Sequence, residues 1–127
     1  EPKGFVMIGS EGVVQLPTSA KHNAVLEKYA EKIYNGVHTG VIATGDRFVA
    51  DGAEKRRIAD TFGAVACEME GGAVAQACFV NGVPFALLRA ISDDASGKAQ
   101  TDYPAFADRA ARKSAALLLT ALEGETC

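Results

Sequence analysis

The sequence has no tryptophan, and its 127 residues contain only three cysteines, Cys67, Cys78 and Cys127. An odd number of thiols without a CxxC pair does not build a disulfide framework and fits a reducing compartment. Two histidines, His22 and His38, leave little material for a zinc site, and neither is given a role. None of Asn23, Asn35 and Asn81 opens an N-x-Ser/Thr sequon. No apolar run reaches the roughly 18–20 residues that span a bilayer. No charged-then-apolar leader opens the chain. An excess of positive charge is also missing: 13 Lys+Arg stand against 16 Asp+Glu, a net charge of −3. That excludes the basic face of a nucleic-acid module and a polybasic membrane anchor. Together these absences predict a cytoplasmic protein without nucleic-acid or membrane partners.

What is present is ordinary for one globular domain: 48% hydrophobic and 23% charged residues, which argues against long disorder. There is no internal repeat, low-complexity tract or long linker. The chain begins at Glu1 rather than at Met, as a processed product or a piece of something longer would.

The hydrophobic pattern alternates strands with helices. Residues 4–8 form a short strand. Pro17-Thr18-Ser19 opens a helix on which Leu26, Tyr29, Ala30 and Ile33 share a face, and Asn35-Gly36 closes it. Val37–Ala43 reads as a strand, followed by a turn at 44–47. Ala53–Phe62 is a charged helix stopped by Gly63, and Ala64–Glu68 a short buried strand. Gly71–Asn81 is helical, with Val74, Ala77 and Cys78 on one face. Pro84–Ile91 is almost continuously apolar, as a parallel strand covered on both faces would be. After a polar loop, Asp102 caps a long helix. There Tyr103, Phe106, Ala110, Leu117, Leu118 and Ala121 face one way, and Asp108, Arg109, Arg112 and Lys113 the other. The pattern is α/β with a mostly parallel sheet. Three firm strands are few for such a sheet, which suggests that part of the fold lies outside this chain.

Polar clusters follow the three strands: Gly45-Asp46-Arg47-Phe48, Glu68-Met69-Glu70, and Arg89 with Ser92-Asp93. In open α/β sheets ligands bind beyond the carboxyl ends of the strands, so the clusters converge on one crevice. Arg89 interrupts an apolar strand, where a guanidinium is costly unless paired. Glu68 or Glu70 can pair with it, either as a structural clamp or as part of a site. A carboxylate facing a cleft can accept both hydroxyls of a vicinal diol; equally, Glu68 or Glu70 can serve as an acid at a helix N-terminus. Asp93, against an apolar wall, can act as a general acid or simply cap a loop. Phe48 can stack on a ligand ring or fill the core.

Three segments resemble the 5′-methylthioadenosine/S-adenosylhomocysteine nucleosidases of the purine nucleoside phosphorylase superfamily. They are Gly40-Val-Ile-Ala-Thr-Gly-Asp-Arg-Phe-Val49, Ala66-Cys-Glu-Met-Glu-Gly-Gly-Ala-Val-Ala-Gln76 and Val83-Pro-Phe-Ala-Leu-Leu-Arg-Ala-Ile-Ser-Asp93. The resemblance runs from about Gly36 to the end. It implies a three-layer α-β-α fold, of which this chain carries part of the central mixed sheet with flanking helices. It implies hydrolysis of the N-glycosidic bond of methylthioadenosine or S-adenosylhomocysteine, releasing adenine.

By the same resemblance Phe48 stacks on adenine, Val49 contacts it through its main chain, and Met69 packs under the ribose. Glu70 takes the ribose hydroxyls, and Glu68 beside it belongs to the same substrate-binding set. Arg89 holds Glu70 and the attacking water. Asp93, assisted by Ser92, protonates purine N7, and Tyr103 is an aromatic lid residue. No metal or organic cofactor is implied. The family's chain is nearly twice as long, and its N-terminal half supplies further strands and a water-activating glutamate. Residues 1–127 therefore read as the C-terminal part of a single nucleosidase domain, with a homodimer mate or a complementing N-terminal half as partner. A phosphorolytic enzyme of the superfamily, and a non-catalytic nucleoside-binding or assembly fragment, are the alternatives.

Overall fold

The structure, a computed structural model, describes residues 4–9, 12–92 and 103–125. Four strands form one mixed sheet in the order β2-β1-β3-β4: β1 (Gly4–Gly9), β2 (Gly12–Pro17), β3 (Val41–Thr44) and β4 (Ala64–Glu68). β1 and β2 pair antiparallel from Gly4↔Pro17 to Gly9↔Gly12. β3 is parallel to both β1 and β4, so the carboxyl ends of β3 and β4 share one edge, with Thr44 opposite Glu68.

The expected strand at 4–8 lies within β1, but β2 was not foreseen. The expected strand over Val37–Ala43 is shorter and shifted, because Val37–Gly40 lies outside the ladder. Gly40 runs close against β4: a Cβ there would sit 2.6 Å from Val65 Cγ1.

The helices obey local rules. Ser19 caps α1 (Ala20–Ile33) by accepting from the His22 amide at 3.3 Å. The helix ends at Tyr34, whose amide donates to the Ala30 carbonyl at 2.8 Å; Gly36 has no positive φ, so Asn35-Gly36 is not its cap. Asp51 caps α2 (Gly52–Phe62) by accepting from the Glu54 amide at 2.8 Å, and Gly63 stops it in the left-handed region (φ 63°). α3 covers Gly71–Val80 and α4 Tyr103–Glu125.

Side chains alternate along β3, so Ile42 and Ala43 face opposite layers. Ala43 and Ala64 pack with Ile58 of α2, while Ile42 packs with Leu16 and Ala75 of α3. α3 turns Gly71, Gly72 and Ala75 inward; Val74 and Ala77 are exposed and Cys78 half-buried, contrary to the expected face. Its smallest residues face inward, where the helix packs on the strands. α4 docks on α1 through Leu117 and Ala121 against Tyr29 and Ala30. Leu118 and Tyr103 are exposed, so the expected apolar face of α4 is narrower than its pattern suggested. Asp108, Arg109, Arg112 and Lys113 are exposed as expected, with Arg112 and Asp108 paired at 2.9 Å. No described helix is long and apolar enough to cross a membrane.

The apolar run Pro84–Ile91 pairs with none of the four strands, contrary to its sequence pattern. Its side chains anchor instead on two separate cores: Phe85 and Leu87 on Leu16 and Ala75, and Leu88 on the α1–α4 cluster. Its Phe85 carbonyl accepts from the Ser19 amide at 2.8 Å. A cavity of about 810 Å³ opens between this run, α1 and α4 on one side and β3 and β4 on the other.

Candidate active site

The shared edge of β3 and β4 gathers the charged residues. Glu68 ends β4 with a side chain only 4% exposed. Its Oε1 accepts from the Thr44 hydroxyl at the end of β3. Its Oε2 accepts from the amides of Glu70 at 3.0 Å and Gly71 at 2.6 Å, two of the orphan donors at the start of α3. A negative charge there is favoured by the helix dipole. The Glu68 carbonyl also accepts from the Gly45 amide at 3.1 Å, closing the turn after β3.

Glu70 stands at the N-cap position of α3 yet makes no side-chain capping bond. Glu68 performs that task, which leaves the Glu70 carboxylate pointing outward, 68% exposed. Arg89 Nη2 donates to Glu70 Oε2 at 2.8 Å and lies 3.4 Å from Glu68 Oε2. The guanidinium thus bridges a buried and an exposed carboxylate that would otherwise repel each other. Arg89 also lines the large cavity, together with Ile91 and Phe106.

The remaining candidates are placed as follows. Phe48 is 72% exposed and Met69 44% exposed, both just past a strand end. Val49 is half-buried against the Ala43–Ile58–Ala64 core. Tyr103 opens α4, is 62% exposed, and its ring centroid is 6.4 Å from that of Phe106. Ser92 is half-buried at the end of the apolar run. Asp93, the candidate acid, lies outside the described residues. Arg47 of the first cluster is taken by Glu54 of α2. Thr44 was missed as a member of the cluster; its signal is a polar residue closing the apolar strand Val-Ile-Ala-Thr, and it is the buried polar residue of the described core.

Chemically, the edge offers an outward carboxylate steadied by a cation, with an exposed aromatic in the segment after β3 and an exposed thioether just after β4. That set suits a polyhydroxylated ligand carrying a flat ring.

Known proteins match this chain throughout. The family model of the phosphorylase superfamily covers residues 5–123. Aminodeoxyfutalosine nucleosidase of Campylobacter jejuni is 40% identical over 122 residues, 96% of this chain and 52% of that protein. The 5′-methylthioadenosine/S-adenosylhomocysteine nucleosidase of Treponema pallidum is 48% identical over 86 residues, 66% of this chain and 32% of that protein. The solved 5′-methylthioadenosine/S-adenosyl homocysteine nucleosidase of Campylobacter jejuni superposes with a TM-score of 0.80 at 30% identity, over 97% of this chain and 62% of that one. The chain therefore spans about half the length of the first of these curated relatives, and its match to the second covers about a third of that protein. The sheet and helices agree with these matches, and the chain belongs to the phosphorylase superfamily.

Proposed function

We propose that this chain is part of a nucleosidase domain that hydrolyses the N-glycosidic bond of methylthioadenosine or S-adenosylhomocysteine and releases adenine. The observation that carries the reading is the exposed Glu70 carboxylate held by Arg89 at the carboxyl edge of parallel strands. An outward carboxylate accepts both hydroxyls of a ribose diol. Its negative charge, fixed in advance, favours the positive charge that develops on the ribosyl group as the bond to the purine breaks. Phe48 stacks on adenine, Val49 meets it through its main chain, and Met69 packs under the sugar. Tyr103 closes over the base and sugar. Asp93, assisted by Ser92, gives a proton to N7, which makes adenine a better leaving group. Water then attacks the anomeric carbon. The protein works in the cytoplasm.

The site is completed by further polypeptide, a homodimer mate or a complementing N-terminal half. The length of the relatives supports this. So do the run at 84–91, which joins none of the four described strands, and the cavity beside it, with Val65 and Ile91 left exposed. Such apolar surface is a binding face or an aggregation risk.

The test is adenine release from methylthioadenosine in phosphate-free buffer, by this chain and its Asp93→Asn form, alone and with a complementing half. Release that is lost in Asp93→Asn supports the reading. Release that requires phosphate indicates a phosphorylase instead. Nucleoside binding without release in any assembly indicates a binding fragment. The relative in Campylobacter jejuni named for aminodeoxyfutalosine makes that nucleoside the second substrate to assay.

A further inference from the structure

We propose that Glu68 is a positioning residue: its buried carboxylate fixes Arg89 and so sets how Glu70 holds a ribose diol. The proposal rests on the nucleosidase reading above and deepens it.

Glu68 is badly placed to bind a ligand itself. Its side chain is 4% exposed. Oε2 already faces two backbone amides and the Arg89 guanidinium, and Oε1 is engaged by Thr44. Thr44 and the two amides belong to two regular elements, the end of β3 and the first turn of α3. Glu68 is therefore an anion with a fixed location.

Arg89 has the opposite character. It sits on the run at 84–91, which joins none of the four described strands. Its side chain is 39% exposed, and among the described residues its carboxylate partners are Glu68 and Glu70. Glu70 is 68% exposed, and its side chain makes no capping bond to the first turn of α3. Of the two anions, the buried one must do the locating. If Glu68 carried no charge, the guanidinium would be drawn wholly to Glu70 and would compete with the ribose hydroxyls for its oxygens.

Glu68→Gln isolates this effect. The glutamine oxygen can still accept from the Glu70 and Gly71 amides. Its NH2 can donate to the Thr44 hydroxyl, which accepts as well as donates. Shape and local hydrogen bonds persist while the charge is lost.

The experiment measures binding of methylthioadenosine and of its 2′-deoxy analogue by calorimetry in the Asp93→Asn background, where the nucleoside is bound without being cleaved, together with the Arg89 side-chain NMR signals. Asp51→Ala, which removes the distant α2 cap, controls for general destabilisation. In Glu68→Gln the affinity for the ribonucleoside falls roughly tenfold, the loss of one charge-assisted contact, and that for the 2′-deoxy analogue falls much less. The Arg89 guanidinium signals, distinct in the parent, average by faster rotation. Asp51→Ala changes neither readout. Equal loss for both ligands, or unchanged Arg89 signals, overturns the proposal. A parent chain that binds neither nucleoside, alone or complemented, sinks the nucleosidase reading, and the Arg89 signals then decide the positioning role by themselves.

Discussion

Arg89 contacts Glu70 at 2.8 Å and Glu68 at 3.4 Å through the same nitrogen, so one guanidinium balances an exposed and a buried carboxylate. The two contacts differ in energy. The Glu70 contact is open to water and worth little to stability. The Glu68 contact is shielded, and losing it leaves a buried anion with three hydrogen bonds but no counter-ion.

Arg89→Met should therefore cost about 1–3 kcal/mol, the range for a buried group stripped of one partner. Urea denaturation measures it. Combining it with Glu68→Gln should recover part of the loss, because the anion left unpaired is gone. Strict additivity of the two substitutions would show that the 3.4 Å contact contributes nothing.

Gly63 ends α2 with φ 63° and ψ 26°, a conformation that costs a side chain. A Cβ there would meet nothing within 4 Å, so the penalty is conformational rather than steric. Gly63→Ala should lower stability by about 1–2 kcal/mol, and Gly63→Asn by less. Thermal melts of the pair decide it; equal stability of all three proteins would rule out the left-handed stop.

Leu117 is wholly buried between α4 and α1, among Tyr29, Ala30 and Ala121. The α1–α4 pair stands across the cavity from the sheet, so this contact keeps it together. Leu117→Ala should cost about 2–5 kcal/mol. Leu118, the next residue, is 46% exposed, and Leu118→Ala should cost far less. A reversed order in denaturant midpoints would place the helix face wrongly.

Local signals were legible in the sequence where local physics decides. Gly63 announced the end of α2, Pro17-Thr18-Ser19 announced the start of α1, and charges at strand ends marked the edge that Glu68, Glu70 and Arg89 occupy. Signals failed where a neighbour decides. Pro84–Ile91 has the composition of a central strand, but a strand needs a ladder partner, and none of the four described strands provides one. β2 was hidden because Gly12 and Pro17 bracket it, and Pro17 reads as the approach to a helix. Thr44 passed as a turn residue; only the register opposite Glu68 gives its hydroxyl a purpose.

Phe48 and Val49 are adjacent in sequence and opposite in setting, which separates ligand binding from stability. Phe48 is 72% exposed, whereas Val49 packs on the Ala43–Ile58–Ala64 core. An aromatic ring held largely in water adds little to folding, so Phe48→Ala should change stability by under about 0.5 kcal/mol. If the ring stacks on adenine, the same substitution should weaken nucleoside binding by about 1–3 kcal/mol, the usual worth of a base stacked on an aromatic. Val49→Ala removes two methyl groups from a packed contact and should cost about 1–2 kcal/mol of stability with little change in affinity, because the proposed contact of residue 49 is through its main chain. Urea denaturation and calorimetric titration with methylthioadenosine measure both. A Phe48→Ala protein that is destabilised and binds normally would mean that the ring serves the fold, and the aromatic platform for the base must then come from elsewhere.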